Sequence, residues 1–466
     1  MIDVIVLGGG FAGLSAAVRL VRRGARVTVL EARRRLGGRA TAYRDARTGE
    51  WVDNGQHLML GCYHETLQFL DTIGAADRVT RQARLEVPFV DPEGRPSTLA
   101  CPRLPSPLHL LGGLLAWSAL PLRDRLAALR IANPLRLAMR LAEAALADGD
   151  AGNPREGGPP NQAASGEVRP GETVEAWLVR HGQTPRLRQM LWNPLAIAAL
   201  NQEPSRAEAR YFSRVLGQML ASGVEGSAIV TPARPLHEMY AEPARAWLDA
   251  HGARVRTGAP ATLVVKDGAV ARVEAGGTTF RADAVVAAVP WHALPAVATG
   301  DIAPLRQMLD AAAGTASSPI VTVNLWVEGP ALGAPLVGLP GRTIQWVFDK
   351  RAILGRGASH LSLVCSAADQ VVGRSNEALI ALAVREVSAA LPAMRQNRVV
   401  DANVVRERRA TFSLAPGQPA RPSVTTEVKG LFLAGDWIDT GLPGTIESAV
   451  VSGHRAADRM AAGWRS

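Results

Sequence analysis

The chain has 466 residues, enough for two domains around more than one core. With 47% hydrophobic and 20% charged residues it reads as a folded globular protein, which excludes a disordered chain. The net charge of +10 comes almost wholly from arginine, because Lys266, Lys350 and Lys429 are the only lysines. No arginine block alternates with aromatics, so nucleic acid is not an expected partner; a basic surface facing anionic lipid is.

Cys62, Cys101 and Cys365 are isolated and odd in number, which argues against a disulfide framework and for a reducing compartment. No metal-ligand spacing occurs, and His57 and His64 have no third ligand nearby. The chain enters a strand directly, so no signal peptide is expected. No apolar run reaches the ~18–20 residues of a membrane span. The expected location is cytoplasmic, with or without peripheral attachment to the inner face of the plasma membrane.

Residues 2 and 4–7 form a β-branched apolar run, the pattern of a buried parallel strand. It ends in Gly8-Gly9-Gly10-Phe11-Ala12-Gly13, a G-x-G-x-x-G leading into helical periodicity over 14–23, with Gly24 placed to stop it. Residues 26–30 read as a second strand, and Glu31 stands at its carboxyl end, eighteen residues after Gly13 and just before Ala32. Gly8 permits the tight turn, Gly10 lets backbone approach a pyrophosphate, and Gly13 lets helix and strand pack closely. The helix start at Phe11 and Ala12 offers free N–H groups to phosphates. Glu31 accepts from a ribose and repels a 2′-phosphate. Alone, the glycines make only a turn; strand, helix, second strand and acid in register predict dinucleotide binding.

Leu36-Gly37-Gly38-Arg39 follows at once. It resembles the second fingerprint of the FAD-dependent amine oxidase and phytoene desaturase superfamily, in which glycines bring backbone close to the FAD pyrophosphate. The resemblance implies that Arg39 offers a fork of donors to phosphate oxygens. The plainer reading is a surface turn with a solvated arginine.

Asp53-Asn54-Gly55-Gln56-His57 interrupts a mixed region, and 63–73 read as an amphipathic helix with Leu67, Leu70 and Ile73 on one face. Residues 85–90 read as a strand before a turn at 91–94. Residues 102–145 change character: 108–122 is dense in leucine, and Arg123, Arg125, Arg130, Arg136 and Arg140 follow on helical segments. Two readings stand. These are core helices of a second domain, or a monotopic patch with apolar turns in a membrane interface and arginines at the headgroups. Residues 148–172 are rich in Gly, Pro, Asn and Ser and read as a mobile loop.

A helix resumes over 173–180, and a mostly helical region continues through 189–200. After about Gly226 the pattern returns to α/β: a helix over 237–251, short strands at 253–255, 263–265 and 270–273, and a buried strand over 284–289. In the superfamily this block rejoins the FAD domain, and the strand near Val264 meets the adenosine half. Residues 320–327, 344–348 and 361–365 read as strands and 377–391 as a helix. Residues 431–437 are a buried strand running into Gly435 and Asp436, and 448–461 read as a helix. Alone this is plain α/β packing; beside the N-terminal fingerprint it resembles the superfamily's closing motif. Asp436 would then accept from the ribityl or phosphate region. The helix start at Gly444, Thr445 and Ile446 would lie under the flavin N1–C2=O edge, its dipole stabilising reduced flavin. No cysteine falls near 435–447, so non-covalent FAD is expected.

Asp53–His57, Gln345–Asp349, Ala434–Trp437 and Thr440–Pro443 together resemble the squalene-associated FAD-dependent desaturases, the hydroxysqualene dehydroxylases of bacterial hopanoid-type pathways. The resemblance runs nearly end to end and departs at 148–172. It implies an α/β fold: a Rossmann-type FAD-binding domain (1–85, 228–290 and 425–466) and a discontinuous, largely helical α+β substrate domain (86–227 and 291–424). The implied reaction replaces the hydroxyl of hydroxysqualene with hydrogen, giving squalene and water, with hydride from reduced FAD. A group must protonate or hydrogen-bond the leaving oxygen, and an apolar sheath must keep water from the developing cation. His57, in the segment with Gly55 expected to border the flavin, is the candidate acid; a structural histidine is the alternative. Asp439 is a second candidate or a loop cap, and Gln56 would orient substrate or water. Implied partners are a long-chain isoprenoid, a reductant (NAD(P)H or a reduced carrier) and the other squalene-pathway enzymes.

The alternative activity is a carotenoid-type desaturase acting oxidatively on a polyisoprenoid. An amine oxidase usually cages its flavin with aromatics, yet none of the four tyrosines, Tyr43, Tyr63, Tyr211 and Tyr240, lies in the C-terminal segment. Complete FAD motifs argue against a non-catalytic lipid carrier, and Leu36–Arg39 with the C-terminal motif argues against an NAD dehydrogenase.

Overall fold

A computed structural model describes residues 2–147, 168–355, 357 and 359–464. Its cofactor-side layer is a five-stranded, all-parallel sheet: β1 (Asp3–Leu7), β2 (Arg26–Glu31), β3 (Arg254–Thr257), β4 (Ala284–Ala287) and β5 (Leu431–Leu433). The spatial order is β3-β2-β1-β4-β5. β1 sits in the middle, paired with β2 and β4, and Val4 to Leu7 are at most 3% exposed. Burial on both faces is why this strand is a continuous apolar run rather than an alternating one.

Three helices frame that sheet: α1 (Phe11–Arg22), α2 (His64–Thr72) and α3 (Ile446–Ala462). Gly24, at φ +87°, ends α1 as the sequence predicts. α1 and α3 touch closely: a Cβ on Gly453 would fall 2.3 Å from the Ala12 carbonyl oxygen. Only a glycine lets the last helix lie against the first turn of the first helix.

A seven-stranded sheet faces this unit. Its order is Val399–Phe412, Ser317–Val327, His360–Cys365, Trp346–Asp349, Leu336–Gly338, Glu86–Val90 and Pro96–Ala100. Only Leu336–Gly338 and Glu86–Val90 run parallel. Val321, Val323 and Leu325 share one face with Leu379, Ala383 and Val387 of the helix Asn376–Ala390 in a core of their own. Thr322, Asn324 and Trp326 therefore face the opposite way. A four-stranded sheet follows the order Thr278–Phe280, Ala269–Ala275, Ala261–Lys266 and Ala298–Gly300. A further layer is helical, with Leu108–Ala116, Leu122–Ala127, Ala132–Ala147, Asn193–Leu200 and Ala209–Ala221. Ala132–Ala147 crosses Ala209–Ala221 at Gly217, where a Cβ would fall 2.4 Å from the Ala138 carbonyl oxygen.

The two edge strands of the seven-stranded sheet lack a sequence signal. Val399–Phe412 is the longest strand among the described residues, yet it carries Asp401, Asn403, Arg406, Glu407, Arg408 and Arg409. It is an edge strand with one paired side, so little apolar alternation is required of it. Pro96–Ala100 closes the other edge for the same reason. Residues 148–167 of the expected mobile loop lie outside the described residues. No helix among the described residues is long and apolar enough to cross a membrane.

Candidate active site

The site begins where β1 ends. Gly8 turns at φ +106°, and a Cβ there would fall 2.4 Å from the Ala288 carbonyl oxygen. Gly10 is the N-cap of α1 without a side-chain hydrogen bond, so the first N–H groups of the helix keep no side-chain acceptor. Gly37 donates to the Gly9 carbonyl at 2.8 Å, laying the 36–39 turn beside that helix start. A Cβ on Gly38 would come 3.3 Å from Gly10 Cα, and one on Gly13 1.9 Å from the Gly8 oxygen. Side chains would fill this cradle; backbone leaves the room and the donors a pyrophosphate requires.

Glu31 is buried at the end of β2, and its carboxylate accepts from the N–H groups of Gly9 (2.7 Å) and Arg33 (2.8 Å). A carboxylate has about four acceptor sites, so two stay free for a ribose. Ala32 beside it is exposed. Val264 lies inside another sheet, opposite Arg272 and Thr299; the chain passes Glu31 at Ala259, whose N–H donates to the Glu31 carbonyl at 2.9 Å.

Arg39 and Asp436 meet each other. One guanidinium nitrogen of Arg39 lies 3.1 Å from Asp436 Oδ2, the other lies closer to Oδ1, and a further bond reaches the Ala410 carbonyl at 2.8 Å. The pair ties the N-terminal fingerprint to the end of β5. Gly435 has φ +152° and donates to Ser452 Oγ at 2.8 Å; a Cβ there would fall 2.7 Å from Trp437. A Cβ on Gly444 would meet Phe412 and Thr411 at 3.2 Å. Thr445 is the N-cap of α3, its hydroxyl accepting from Ser448 N at 3.2 Å, so Ile446 opens the helix. In that first turn the buried Glu447 accepts from Glu65 N (3.0 Å), Thr66 N (2.9 Å) and the Thr66 hydroxyl (2.6 Å). Burial pushes its carboxyl up to about 7 against those bonds.

The Asp53–His57 segment is pinned by Lys350, which follows the strand Trp346–Asp349 of the seven-stranded sheet. Lys350 Nζ lies 2.6 Å from Asp53 Oδ2 and donates to Gln56 Oε1 at 2.8 Å; both charged side chains are buried. Asp53 Oδ1 accepts from Leu236 N at 3.0 Å. Gly55 turns at φ +95°, and His57 Nδ1 lies 2.9 Å from the Gly55 carbonyl oxygen. A carbonyl only accepts, so Nδ1 carries the hydrogen and Nε2 of the neutral ring is an acceptor. Burial lowers the His57 pKa, helped by the nearby Lys350 and Arg39 and opposed by the Gly55 carbonyl and Asp53.

Beyond this segment opens an apolar cavity of about 330 Å³ between the helical layer and the edge of the seven-stranded sheet. Leu60, Val87, Phe89, Leu110, Leu216 and Met219 are representative of its walls. Its few polar residues include Tyr63, Trp346 and Thr445. Trp346 Nε1 is buried and has no hydrogen-bond partner. Tyr63 shares a hydrogen bond with Thr445, and burial holds its phenol well above the ordinary range. Thr445, the residue that caps α3, is thus part of the cavity wall.

Residues 11–461 match the family described as flavin containing amine oxidoreductase. The chain belongs to this family. It is 32% identical to the hydroxysqualene dehydroxylase of Rhodopseudomonas palustris over 99% of each chain. It is 24% identical to the 15-cis-phytoene desaturase of Narcissus pseudonarcissus, over 98% of this chain and 79% of that one. The solved cyclohexylamine oxidase of Brevibacterium oxydans shares the fold, with a TM-score of 0.68 at 17% identity over all of both chains.

As a flavin oxidoreductase of this family the chain is an FAD-dependent enzyme. The cradle fits that cofactor: glycines at the α1 start, an acid at the end of β2 and an uncrowded α3 start lie along one edge of the parallel sheet. His57, Gln56 and Gly55 sit together on the segment held by Lys350. Asp439 does not join them. Its carboxylate accepts from Gly441 N at 3.1 Å, and it lines a separate cavity with Arg210, Arg214 and Arg421. Sequence reasoning gave no role to Lys350, Tyr63 or Trp346. One signal was present: Lys350 is one of three lysines in an arginine-rich chain, directly after an apolar strand.

Proposed function

We propose that this enzyme reduces hydroxysqualene to squalene with loss of water. The observation that carries the reading is the apolar cavity lined in part by Thr445, at the helix start expected beneath the flavin. The full-length likeness to a protein named for that activity supports it. FAD, when bound and reduced, supplies the hydride that replaces the hydroxyl. The chain's own part is to hold the leaving oxygen and keep the site dry. Trp346 Nε1, a buried donor without a partner, gives the leaving oxygen its hydrogen bond, and the leucine-rich walls exclude water from the allylic cation.

In this reading residues 1–85, 228–290 and 425–466 hold FAD, and 86–227 and 291–424 hold the isoprenoid. Arg39 and Asp436 fix the pyrophosphate and ribityl region, and Gln56 keeps the His57 loop in place. His57 carries the proton that completes water. Its pKa lies below the ordinary 6.5, so turnover rises as pH falls through that lowered value, and His57→Ala abolishes the rise. Asp439 serves as a loop cap. NAD(P)H or a reduced carrier regenerates the flavin, and other squalene-pathway enzymes deliver the substrate on the cytoplasmic face of the membrane.

The test is an anaerobic assay of the FAD-loaded enzyme with a reductant and hydroxysqualene, read by mass spectrometry. Squalene formed only with reduced flavin is the expected result. Conversion of phytoene with oxidised flavin, and no squalene, would overturn the reading in favour of the desaturase relatives.

A further inference from the structure

Nine large apolar side chains are exposed among the described residues, and six are Leu104, Leu108, Leu115, Leu122, Leu126 and Leu129; only Trp51, Val179 and Val400 lie elsewhere. Their spacing is helical. Leu108 and Leu115 stand seven residues apart within the helix Leu108–Ala116, and Leu104 lies in the segment that leads into it. Leu122, Leu126 and Leu129 stand at i, i+4 and i+7 on the next helix and the turn that extends it. Arg125 donates to the carbonyls of Leu115 (2.6 Å) and Leu120 (2.7 Å), which ties the two helices together. Leu122 is 67% exposed, a position where a core helix would bury its leucine.

Two further observations say what covers this face. Six arginines lie between residues 103 and 140 (103, 123, 125, 130, 136 and 140) against one acid, Asp124, which is buried. Arg103, Arg123, Arg130, Arg136 and Arg140 are exposed. Apolar stripes bordered by arginines match an anionic bilayer, where leucines enter the acyl boundary and guanidinium groups reach lipid phosphates. Leu108 and Leu129 are also walls of the apolar cavity, as is Arg136. The exposed face and the cavity are therefore continuous.

We propose that residues 104–129 seat the enzyme on an anionic membrane surface, and that a long-chain isoprenoid passes from the bilayer into the cavity between Leu108 and Leu129 without crossing water. The passage rests on the isoprenoid reading of the cavity; the seating does not.

Flotation of the FAD-loaded enzyme with phosphatidylcholine vesicles, with and without phosphatidylglycerol, tests the seating in the absence of substrate. The expected result is flotation with the anionic vesicles, lost in the double variant Leu122→Glu/Leu126→Glu and kept in Val400→Glu. Neither Leu122 nor Leu126 lines the cavity, and both are solvent-facing, so the double variant is expected to fold and keep its flavin absorbance. Its turnover of detergent-dispersed hydroxysqualene should stay within about two-fold of the parent, while turnover of vesicle-embedded substrate falls about ten-fold or more. Flotation of the double variant like the parent, or no flotation of the parent, overturns the seating. Equal loss on both substrate forms overturns the passage. Flotation without any squalene formation refutes the hydroxysqualene reading and leaves the seating standing.

Discussion

The FAD cradle and the apolar cavity share a border at Thr445, and they are built from different materials. Around Gly8, Gly10, Gly13 and Gly38 the protein leaves side chains out, so that backbone N–H groups and a helix start are left open. Around Leu60, Phe89, Met219 and Trp346 it brings side chains together from stretches far apart in the chain. The cradle depends on a few atoms at fixed sequence spacing, and one added methyl there is a collision. The cavity depends on summed apolar area, so single leucines matter less than the rare polar group among them.

That contrast can be broken at several points. The largest effect is expected at Gly13→Val: its Cβ would fall 1.9 Å from the Gly8 oxygen, so the turn cannot close. Purified variant should carry no flavin absorbance, and a yellow, folded Gly13→Val enzyme would refute the backbone account of the cradle. Next comes Lys350→Met, which leaves Asp53 buried without its cation. We expect a loss of about 3–5 kcal/mol in denaturant unfolding, with part of it recovered by adding Asp53→Asn. If Lys350→Met were neutral, the pair would not be what holds the His57 segment.

A smaller effect, confined to the cavity side, is expected from Trp346→Phe. It keeps an aromatic ring and removes the unpartnered donor, so kcat should fall about ten- to a hundred-fold while flavin content stays unchanged. KM should move far less than kcat, since the bond strengthens as charge develops on the leaving oxygen. A rise in KM alone would make Trp346 a wall residue like its neighbours.

How much could be read beforehand follows the same division. The Rossmann strand, its glycines, Glu31 and the closing Gly435–Asp436 were legible because local spacing and local backbone geometry coincide there. The helix Asn376–Ala390 and strand His360–Cys365 were legible from apolar runs. Val399–Phe412 was not, because one-sided pairing at a sheet edge requires no alternation. His57 was singled out as a candidate, but not the state of its ring, which depends on burial and on Lys350, nearly three hundred residues away. The leucine-rich stretch left core and membrane readings open, since helical periodicity marks an apolar stripe without saying what lies against it.

The sequence by itself determined a dinucleotide fold, FAD as the cofactor and the kinship to flavin oxidoreductases, because those are written in backbone-level motifs. The tertiary structure alone decided that Arg39 meets Asp436, that Lys350 grips Asp53 and Gln56, and that Trp346, whose buried Nε1 has no hydrogen-bond partner, lines an apolar cavity. It also decided that Thr445 and the exposed leucines Leu108 and Leu129 line the same cavity. Each of these is a meeting of side chains far apart in sequence, created by folding and carried by no local pattern.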